Sequence, residues 1–330
     1  MDTTSFHPDK GPYLNDVTPG DRLIGYYTLI SKNLEPFRDP AKGYFLAMTL
    51  ADRSGHIQAR AWEDAEQLAS ELADGDVLKV DGQAESYMGR TQIIVLRARH
   101  ADPREYDLRD MAPSTERSRE ELEEALETGL NRITNPHLRA LAGYFFQDPK
   151  FLDQFLSAPA ARRVHHAYLG GLAEHTVEVL RVCDTVLEIY PQLDPDLMLA
   201  GALLYDIGKL REYTWGVTTD FSDEGRLIGH IVIADEMVSE AIRQLPDFPA
   251  ELALRLRHML LAHHGRQEWG SPREPRTLEA IALHHIENMV AQINRFHLIL
   301  RSRQSGEPWT KYDRLLGRQL YAGMDEDGDE

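Results

Sequence analysis

The stretch Leu203-Leu204-Tyr205-Asp206-Ile207-Gly208-Lys209 is the most informative part of this chain of 330 residues. It ends an apolar run, residues 197–210, that follows Asp194-Pro195, a helix cap with a first-turn proline. An aspartate in such a run needs a cation or several hydrogen bonds, because an unpaired buried polar group costs roughly 1–3 kcal/mol. The stretch therefore indicates a helical domain with a charged site inside it.

Histidines are concentrated in the same half of the chain. Ten of the fourteen lie between His165 and His297, several inside apolar segments, which makes them candidate ligands instead of surface residues. Imidazole and carboxylate ligands suit Mn²⁺, Fe²⁺, Co²⁺ or Zn²⁺, and oxygen-rich positions also admit Mg²⁺. Two such ions about 3.5–4 Å apart can polarise a phosphodiester and activate water. A metal-dependent enzyme with one or two divalent ions is therefore the first hypothesis.

Composition restricts the partners and the location. The net charge of −18 argues against a protein that grips nucleic acid through an overall basic surface, so a polyanion must meet a local basic patch or metal ions. Cys183 is the single cysteine, which excludes an intrachain disulfide and a cysteine-based zinc site. Residues 1–15 lack the apolar core of a signal peptide, and no run approaches the ~18–20 apolar residues of a membrane span. We expect a cytoplasmic protein without a membrane segment.

The first hundred residues have a short-period, β-like pattern. Five segments rich in aromatic and β-branched residues are separated by Gly, Pro and Asp turns: 22–30, 44–50, 56–62, 77–85 and 91–99. Between the third and fourth, residues 63–72 have helical spacing, at the place where an OB barrel often carries a helix. The pattern predicts a five-stranded OB-like β-barrel with an oligonucleotide-binding surface.

The second half of the chain is predicted to be helical. Ser118 and Glu121 form a capping box, and apolar residues then recur on one helical face. Everything from there to Tyr321 has a helical pattern. We expect an α+β multidomain protein with these divisions: a polar arm 1–15, the barrel 16–102, a linker 103–117, an all-α domain 118–322 and an acidic tail 323–330.

Aromatic and basic residues of the barrel are candidates for contacts with a nucleic acid. Stacking of a base on an aromatic ring is worth about 1–3 kcal/mol. Because side chains alternate between the two faces of a strand, about half of these aromatic residues should belong to the core instead. The basic residues could equally form a solvated face. The candidates are Tyr26, Tyr44, Trp62, Tyr87, Lys79 and Arg90.

The order of four segments resembles a known family. Residues 165–176 (His165-His166 to Glu174-His175-Thr176), 205–209, 223–230 and 263–265 look like an HD-domain phosphohydrolase. With an OB-like domain in front, the chain resembles the YhaM-type bacterial 3′-to-5′ exoribonucleases. The resemblance implies an OB domain that holds single-stranded RNA or DNA, and an all-α HD domain that removes nucleotides from the 3′ end with divalent metal.

The resemblance also implies roles for individual residues. Asp206 would bridge two ions and Lys209 would face a substrate phosphate, so these two are the catalytic candidates. The implied metal ligands are His175 for the first ion and His230 and His263 for the second, with His264 as a substitute and Glu287 where the family usually has aspartate. Apart from the resemblance, His284 is a candidate metal ligand, a neighbour of one or a surface residue.

Tyr205 stands where the family has the histidine of its His-Asp pair. Its phenol, with an ordinary pKa near ~10, is a poor neutral-pH substitute for imidazole. Three outcomes stay open: Tyr205 ligates, a single ion at Asp206, His230 and His263 suffices, or the centre is inactive. His165 and His166 are each a candidate phosphate contact or, equally, a structural residue.

The alternatives to an exonuclease are a nucleic-acid-binding or regulatory protein with an inactive HD domain, and an HD phosphohydrolase of small nucleotides. A homo-oligomer is expected from the related enzymes.

Overall fold

The computed structural model describes residues 9–37, 39–301 and 307–323. The chain folds as two compact units. The first, here the barrel unit, comprises Met1–Ser114 with Trp215–Thr219, and the second, here the helical unit, comprises Thr115–Thr214 with Asp220–Glu330. Among the described residues, no helix is both long and apolar enough to span a bilayer.

Five strands close the barrel in the order β1-β2-β3-β5-β4, with β3 and β5 parallel and the other pairs antiparallel. A helix, α1, follows β3 as the sequence predicts. The five-stranded OB-like fold is therefore confirmed. The bounds are β1 Arg22–Pro36, β2 Tyr44–Asp52, β3 Gly55–Ala61, α1 Ala65–Glu71, β4 Val77–Tyr87 and β5 Arg90–His100.

Strand β1 is longer than its hydrophobic pattern predicts, since it continues from Ile30 to Pro36. Most side chains of this extension are exposed, so no apolar alternation marks it. Backbone pairing with β2, after a register shift between Leu29 and Ser31, extends the strand instead. Sequence periodicity detects burial, and this part of β1 has little.

Chain segments on either side of the barrel pack onto it. Residues 1–8 of the expected polar arm lie outside the described residues, but Lys10 is buried in an ion pair with Asp52, and Leu14 belongs to the barrel core. After the last strand, α2 (Leu108–Met111) lies within the segment expected as a linker. The Thr28 hydroxyl donates to the carbonyl oxygen of Met111 at 2.9 Å, and Met111 is buried.

The helical unit contains ten helices longer than three residues within its described part, with a two-stranded hairpin, β6 and β7, among them. Ser118 and Asp194 cap α3 and α7 by accepting backbone N–H groups, as predicted. The bounds are α3 Arg119–Asn131, α4 Pro136–Phe146, α5 Pro149–Ser157, α6 Gly171–Ile189, α7 Pro195–Leu204, α8 Lys209–Glu212, β6 Tyr213–Thr214, β7 Asp220–Phe221, α9 Asp223–Leu227, α10 His230–Gln244, α11 Ala250–Ala262 and α12 Leu278–Arg301.

Helix α7 is the central helix of this unit. Every residue from Leu197 to Leu204 is buried, and α7 contacts α3, α4, α6, α11 and α12. A helix that is surrounded on all sides reads as apolar all round, which explains the unbroken run in the sequence. Tyr205 and Asp206 directly follow its last residue and are buried in the helical unit.

The C-terminal segment differs from the expected helix. Helix α12 ends at Arg301, and residues 307–323 form two isolated β-bridges, Trp309 with Tyr321 and Asp313 with Arg318. Gly317 adopts a left-handed φ of 65°, which favours a turn over a helix. Residues 324–330 of the expected acidic tail lie outside the described residues.

Candidate metal centre

The Asp206 carboxylate lies at the centre of a cluster of imidazoles in the helical unit. It is 2 % exposed. The Nε2 atoms of His230 and His263 lie 3.7 and 3.8 Å from its Oδ1, and His175 Nε2 lies 3.8 Å from its Oδ2. These histidines come from α6, the start of α10 and the end of α11, so segments far apart in sequence converge on one carboxylate.

Gly208 permits this convergence. A Cβ at this position would lie 2.1 Å from the carbonyl oxygen of His230, closer than atoms can approach. Only a residue without a side chain lets the start of α10 approach the turn after α7. The Asp-Ile-Gly-Lys spacing therefore has a packing reason in addition to a chemical one.

In His230 and His263 the outer nitrogen, Nδ1, is anchored by a hydrogen bond, and the inner nitrogen, Nε2, is free. His230 Nδ1 donates to Glu212 Oε1 at 2.9 Å, and His263 Nδ1 donates to the carbonyl of Leu260 at 2.7 Å. Each Nε2 therefore carries a lone pair, and neither has a hydrogen-bond partner among the described residues. Metal-ligating histidines have this arrangement, with the second nitrogen held by a carboxylate or carbonyl. The donor set fits a divalent cation.

Electrostatics keep the cluster in its ligating form. Burial, followed by the neighbouring imidazoles, lowers the pKa of His263 well below its usual value. Burial would raise the pKa of Glu212, but hydrogen bonds from His230 outweigh it and lower this pKa to about 2. His264 is half-buried and donates Nδ1–H to the carbonyl of Trp269 at 2.9 Å, and its pKa, lowered mainly by burial, is about 4. At neutral pH His263 and His264 are uncharged and Glu212 is ionised.

Lys209 is buried and directs its ammonium group at Asp206. Its Nζ lies 2.7 Å from Oδ2 and donates a hydrogen bond to it. The sequence predicts a contact between Lys209 and a substrate phosphate, whereas this arrangement uses its charge to balance the carboxylate. The Oδ2 side of Asp206 therefore already has a cationic partner.

Tyr205 and Glu287 are buried beside the same carboxylate. The Tyr205 ring lies 4.9 Å from that of His263, and its hydroxyl has no hydrogen-bond partner among the described residues. Burial, with Asp206 and Glu287 nearby, raises the phenol pKa well above its usual value, so the group is neutral. Burial and the charge of Asp206 also raise the pKa of Glu287 to about 8. Neither residue is a negatively charged ligand at pH 7 in this state.

His284 and His166 are both buried, and a hydrogen bond anchors each ring. His284 Nδ1 donates to the carbonyl of His263 at 2.8 Å, so it supports the backbone of a candidate ligand. His166 is fully buried, and its Nε2 donates to Glu178 Oε2 at 3.0 Å. Its burial leaves no surface for the phosphate contact considered from the sequence.

In the barrel unit, the candidate residues separate into a surface group and a core residue. Trp62 is exposed and stacks on Phe37 at 5.6 Å, and the Arg60 guanidinium lies 4.9 Å from the Tyr87 ring. We call Phe37, Phe45, Arg60, Trp62 and Tyr87 the aromatic platform. Its members lie on β2 and β3, directly after β1 and β3, and at the end of β4. OB folds bind oligonucleotides with the face of strands 2 and 3 and with the neighbouring loops.

Other barrel candidates lie beside or away from the platform. Tyr44 is exposed, and Arg90 lines a surface cavity of about 580 Å³ together with Arg60 and Tyr87. Tyr26 is only 3 % exposed and packs against Tyr106, so it is not available to a base. Lys79 Nζ lies 5.3 Å from the Tyr26 ring. Lys79 lines a different surface cavity from the one that contains Arg60, Tyr87 and Arg90.

Comparison with known proteins identifies both units. The HD domain family model matches residues 172–292, and the OB-fold nucleic acid binding domain model matches residues 38–100. The 3′-5′ exoribonucleases YhaM of Bacillus licheniformis and Bacillus subtilis are each 32% identical over 313 residues, which is 94% of this chain and 98% of theirs. The YhaM of Shouchella clausii is 33% identical over 309 residues, covering 92% of this chain and 93% of the relative.

The chain belongs to the YhaM family. Membership confirms the resemblance inferred from the sequence and the fold class of an OB barrel followed by a helical HD domain. HD domains are a metal-dependent family, in agreement with the free imidazole nitrogens around Asp206. The HD match includes His175, Asp206, His230, His263 and Glu287, and it begins after His165 and His166.

Sequence reasoning in this YhaM-family chain missed the residues that orient the buried histidines. Glu212 and Glu178 hold His230 and His166 by hydrogen bonds, yet neither stands in a motif. Glu212 is 18 residues from its histidine, and only the fold brings the two together. His165, treated as a phosphate contact or structural residue, lies with its ring 5.0 Å from that of His175.

Proposed function

We propose that this chain is a metal-dependent exonuclease that shortens single-stranded RNA or DNA from the 3′ end. The observation that carries the proposal is the convergence of three imidazole Nε2 atoms on Asp206 within 3.7–3.8 Å, none of them with a hydrogen-bond partner among the described residues. The names of the YhaM relatives supply the direction and make RNA the first substrate to test.

Asp206 Oδ1, His230 and His263 would hold one divalent ion, for which Mn²⁺, Mg²⁺, Fe²⁺, Co²⁺ and Zn²⁺ are the candidates. Such an ion polarises a phosphodiester and lowers the pKa of water, so that hydrolysis needs no protein nucleophile. Glu212 fixes the orientation of His230, and Leu260 that of His263. His264 is half-buried and neutral, so a substrate can reach this imidazole.

The aromatic platform would hold the single strand. Trp62 and Tyr87 are exposed aromatic residues, and bases can stack on such rings. Arg60 lies against both rings and would neutralise a backbone phosphate, with Arg90 in the same cavity. In a protein of net charge −18, this local group offers attraction that the overall charge does not.

The test uses a 5′-labelled single-stranded RNA of about thirty nucleotides with Mn²⁺ in excess. The expected result is a ladder that shortens from the 3′ end. Asp206→Asn should slow the reaction by at least about 100-fold, because it removes the charge on which the ligand set converges. The matched control is Asp74→Asn, a surface aspartate of the barrel unit, which should leave the rate unchanged.

A nucleic-acid-binding protein with an inactive centre is the second candidate, favoured by the neutral phenol of Tyr205. In the same assay, such a protein would bind the labelled strand without shortening it, whichever metal ion is added. Such a result, with Asp206→Asn indistinguishable from the natural chain, would replace the exonuclease proposal. Turnover confined to mononucleotides would instead indicate a small-nucleotide phosphohydrolase.

A further inference from the structure

A second group of three imidazoles lies beside the centre at Asp206. His165 and His166 precede α6, and His175 lies in its first turns. The ring of His175 is 5.0 Å from that of His165 and 4.9 Å from that of His166. One nitrogen from each ring lies within 4.8 Å of the other two. This spacing allows a single small cation to contact all three.

These imidazoles have nitrogen atoms without partners. Among the described residues, Nδ1 of His165, Nδ1 of His166 and both nitrogens of His175 are buried and form no hydrogen bond. His166 and His175 are fully buried. Burial of a polar atom without a partner is unfavourable, and a shared cation removes this cost at several atoms together.

His166 is oriented for ligation by two contacts. Its Nε2–H donates to Glu178 Oε2 at 3.0 Å, which leaves Nδ1 with the lone pair. Its backbone N–H donates to Asn294 Oδ1 at 2.8 Å. Gly171 also matters, because a Cβ there would lie 2.1 Å from the carbonyl oxygen of His166. The same pairing of carboxylate and imidazole orients His230 through Glu212.

His175 is less strongly committed to Asp206 than the other two histidines are. Asp206 Oδ2, the oxygen nearest to its Nε2 at 3.8 Å, already accepts from Lys209 at 2.7 Å. The rings of His165 and His166, each with a free, buried nitrogen, lie 5.0 and 4.9 Å from its ring. The balance of contacts therefore favours a ligand set of His165, His166 and His175.

We infer that His165, His166 and His175 bind a divalent transition-metal cation of their own, separate from an ion at Asp206, His230 and His263. Three neutral imidazoles are a ligand set for Zn²⁺, Co²⁺, Fe²⁺ or Mn²⁺ and leave coordination positions for water or a phosphate oxygen. That this ion also contacts a substrate phosphate rests on the proposed function, whereas its binding does not.

The sharpest test changes a residue that orients a ligand without being one. Metal-free protein is titrated with Co²⁺ by calorimetry, and the d–d absorption of bound Co²⁺ is followed. The natural chain should bind two ions. Glu178→Gln should weaken one of the two sites about 10- to 100-fold and leave the other unchanged. The control is Glu188→Gln, with the same charge change at an exposed position of α6, and should alter neither.

The two sites are assigned with complementary variants. His165→Gln with His166→Gln should remove one ion, and Asp206→Asn should remove or weaken the other while the first stays. Unchanged ion number and affinity in the double variant and in Glu178→Gln would overturn the inference. So would a chain that binds no ion, or a single ion lost equally from the double variant and from Asp206→Asn.

Circular dichroism establishes that each variant is folded, and His165→Gln alone, at the half-buried position, replaces the double variant if that fails to fold. Because the ion count is read without substrate, a chain that binds two ions and yet does not shorten RNA would refute the exonuclease proposal alone.

Discussion

Lys209 gives Asp206 a positive neighbour inside the helical unit. Both side chains are nearly inaccessible, and their ion pair spans three residues of the turn from α7 into α8. Removing one partner of a buried pair strands the other charge in a low-dielectric interior. The pair therefore stabilises the fold mainly because neither charge is buried without the other.

We predict that Lys209→Met lowers the free energy of unfolding of the metal-free protein by about 3–5 kcal/mol, because Asp206 is then buried without its cation. Urea unfolding followed by circular dichroism measures this change. Lys150→Met, at an exposed position of α5, is the control and should stay within about 0.5 kcal/mol. A loss as small as that of the control would mean that Asp206 takes up a proton instead.

Tyr205 occupies the position of a metal-ligating histidine in the family, but its phenol is a poor substitute for imidazole. Its hydroxyl is buried, neutral and without a hydrogen-bond partner among the described residues. We predict that Tyr205→Phe leaves the bound metal and the hydrolysis rate within about twofold and raises the free energy of unfolding of metal-free protein by about 1 kcal/mol. Metal analysis and urea unfolding check both parts. Loss of an ion on this substitution would make Tyr205 a ligand.

At the scale of elements, helix α6 combines a candidate ligand with a deeply buried thiol. Cys183 lies two turns beyond His175 with no exposed surface, and burial raises its pKa to about 12. The thiol is therefore inert in the folded protein, although it ionises near ~8.5 in an unfolded chain.

The folded pKa of Cys183 lies above the unfolded one, so its contribution to stability is complete below pH ~8.5 and falls as pH rises toward 12. We predict that the natural chain loses about 2 kcal/mol more between pH 8 and pH 10 than Cys183→Ala does. Urea unfolding at the two pH values measures the difference. Equal losses would show that the thiol ionises normally in the folded state.

The elements differ in how well the sequence predicts them. The strands of the barrel and the helix after β3 follow from alternation and turn residues, because each buries one face. The polar end of β1 and residues 307–323 were missed, since backbone pairing and a left-handed glycine shape them without an apolar pattern. The candidate ligand histidines are visible as polar residues in apolar runs. Their anchors, Glu212 and Glu178, require three-dimensional contacts.

At the scale of the whole molecule, two units with separate cores divide the proposed work. The aromatic platform belongs to the barrel unit and the candidate metal ligands to the helical unit. Substrate grip and bond cleavage are then carried by different cores, and variants should affect them separately.

We predict that Trp62→Ala raises KM for long single-stranded RNA about 5- to 150-fold, the equivalent of one lost base stack of 1–3 kcal/mol. The rate on a small phosphodiester such as bis-p-nitrophenyl phosphate should not change. Ile24→Ala, an exposed apolar position outside the platform, is the control. A parallel loss on both substrates would show that Trp62 supports the fold and not the RNA.

The ammonium group held against Asp206 has a consequence for the order of assembly in the cell. Because Lys209 neutralises Asp206 inside the fold, the newly synthesised chain can complete its core when metal is scarce. When the ion arrives, it replaces Lys209 as the partner of Asp206. Depletion by a chelator should therefore yield a dormant, correctly shaped molecule that revives on resupply, instead of a denatured one bound for proteolysis.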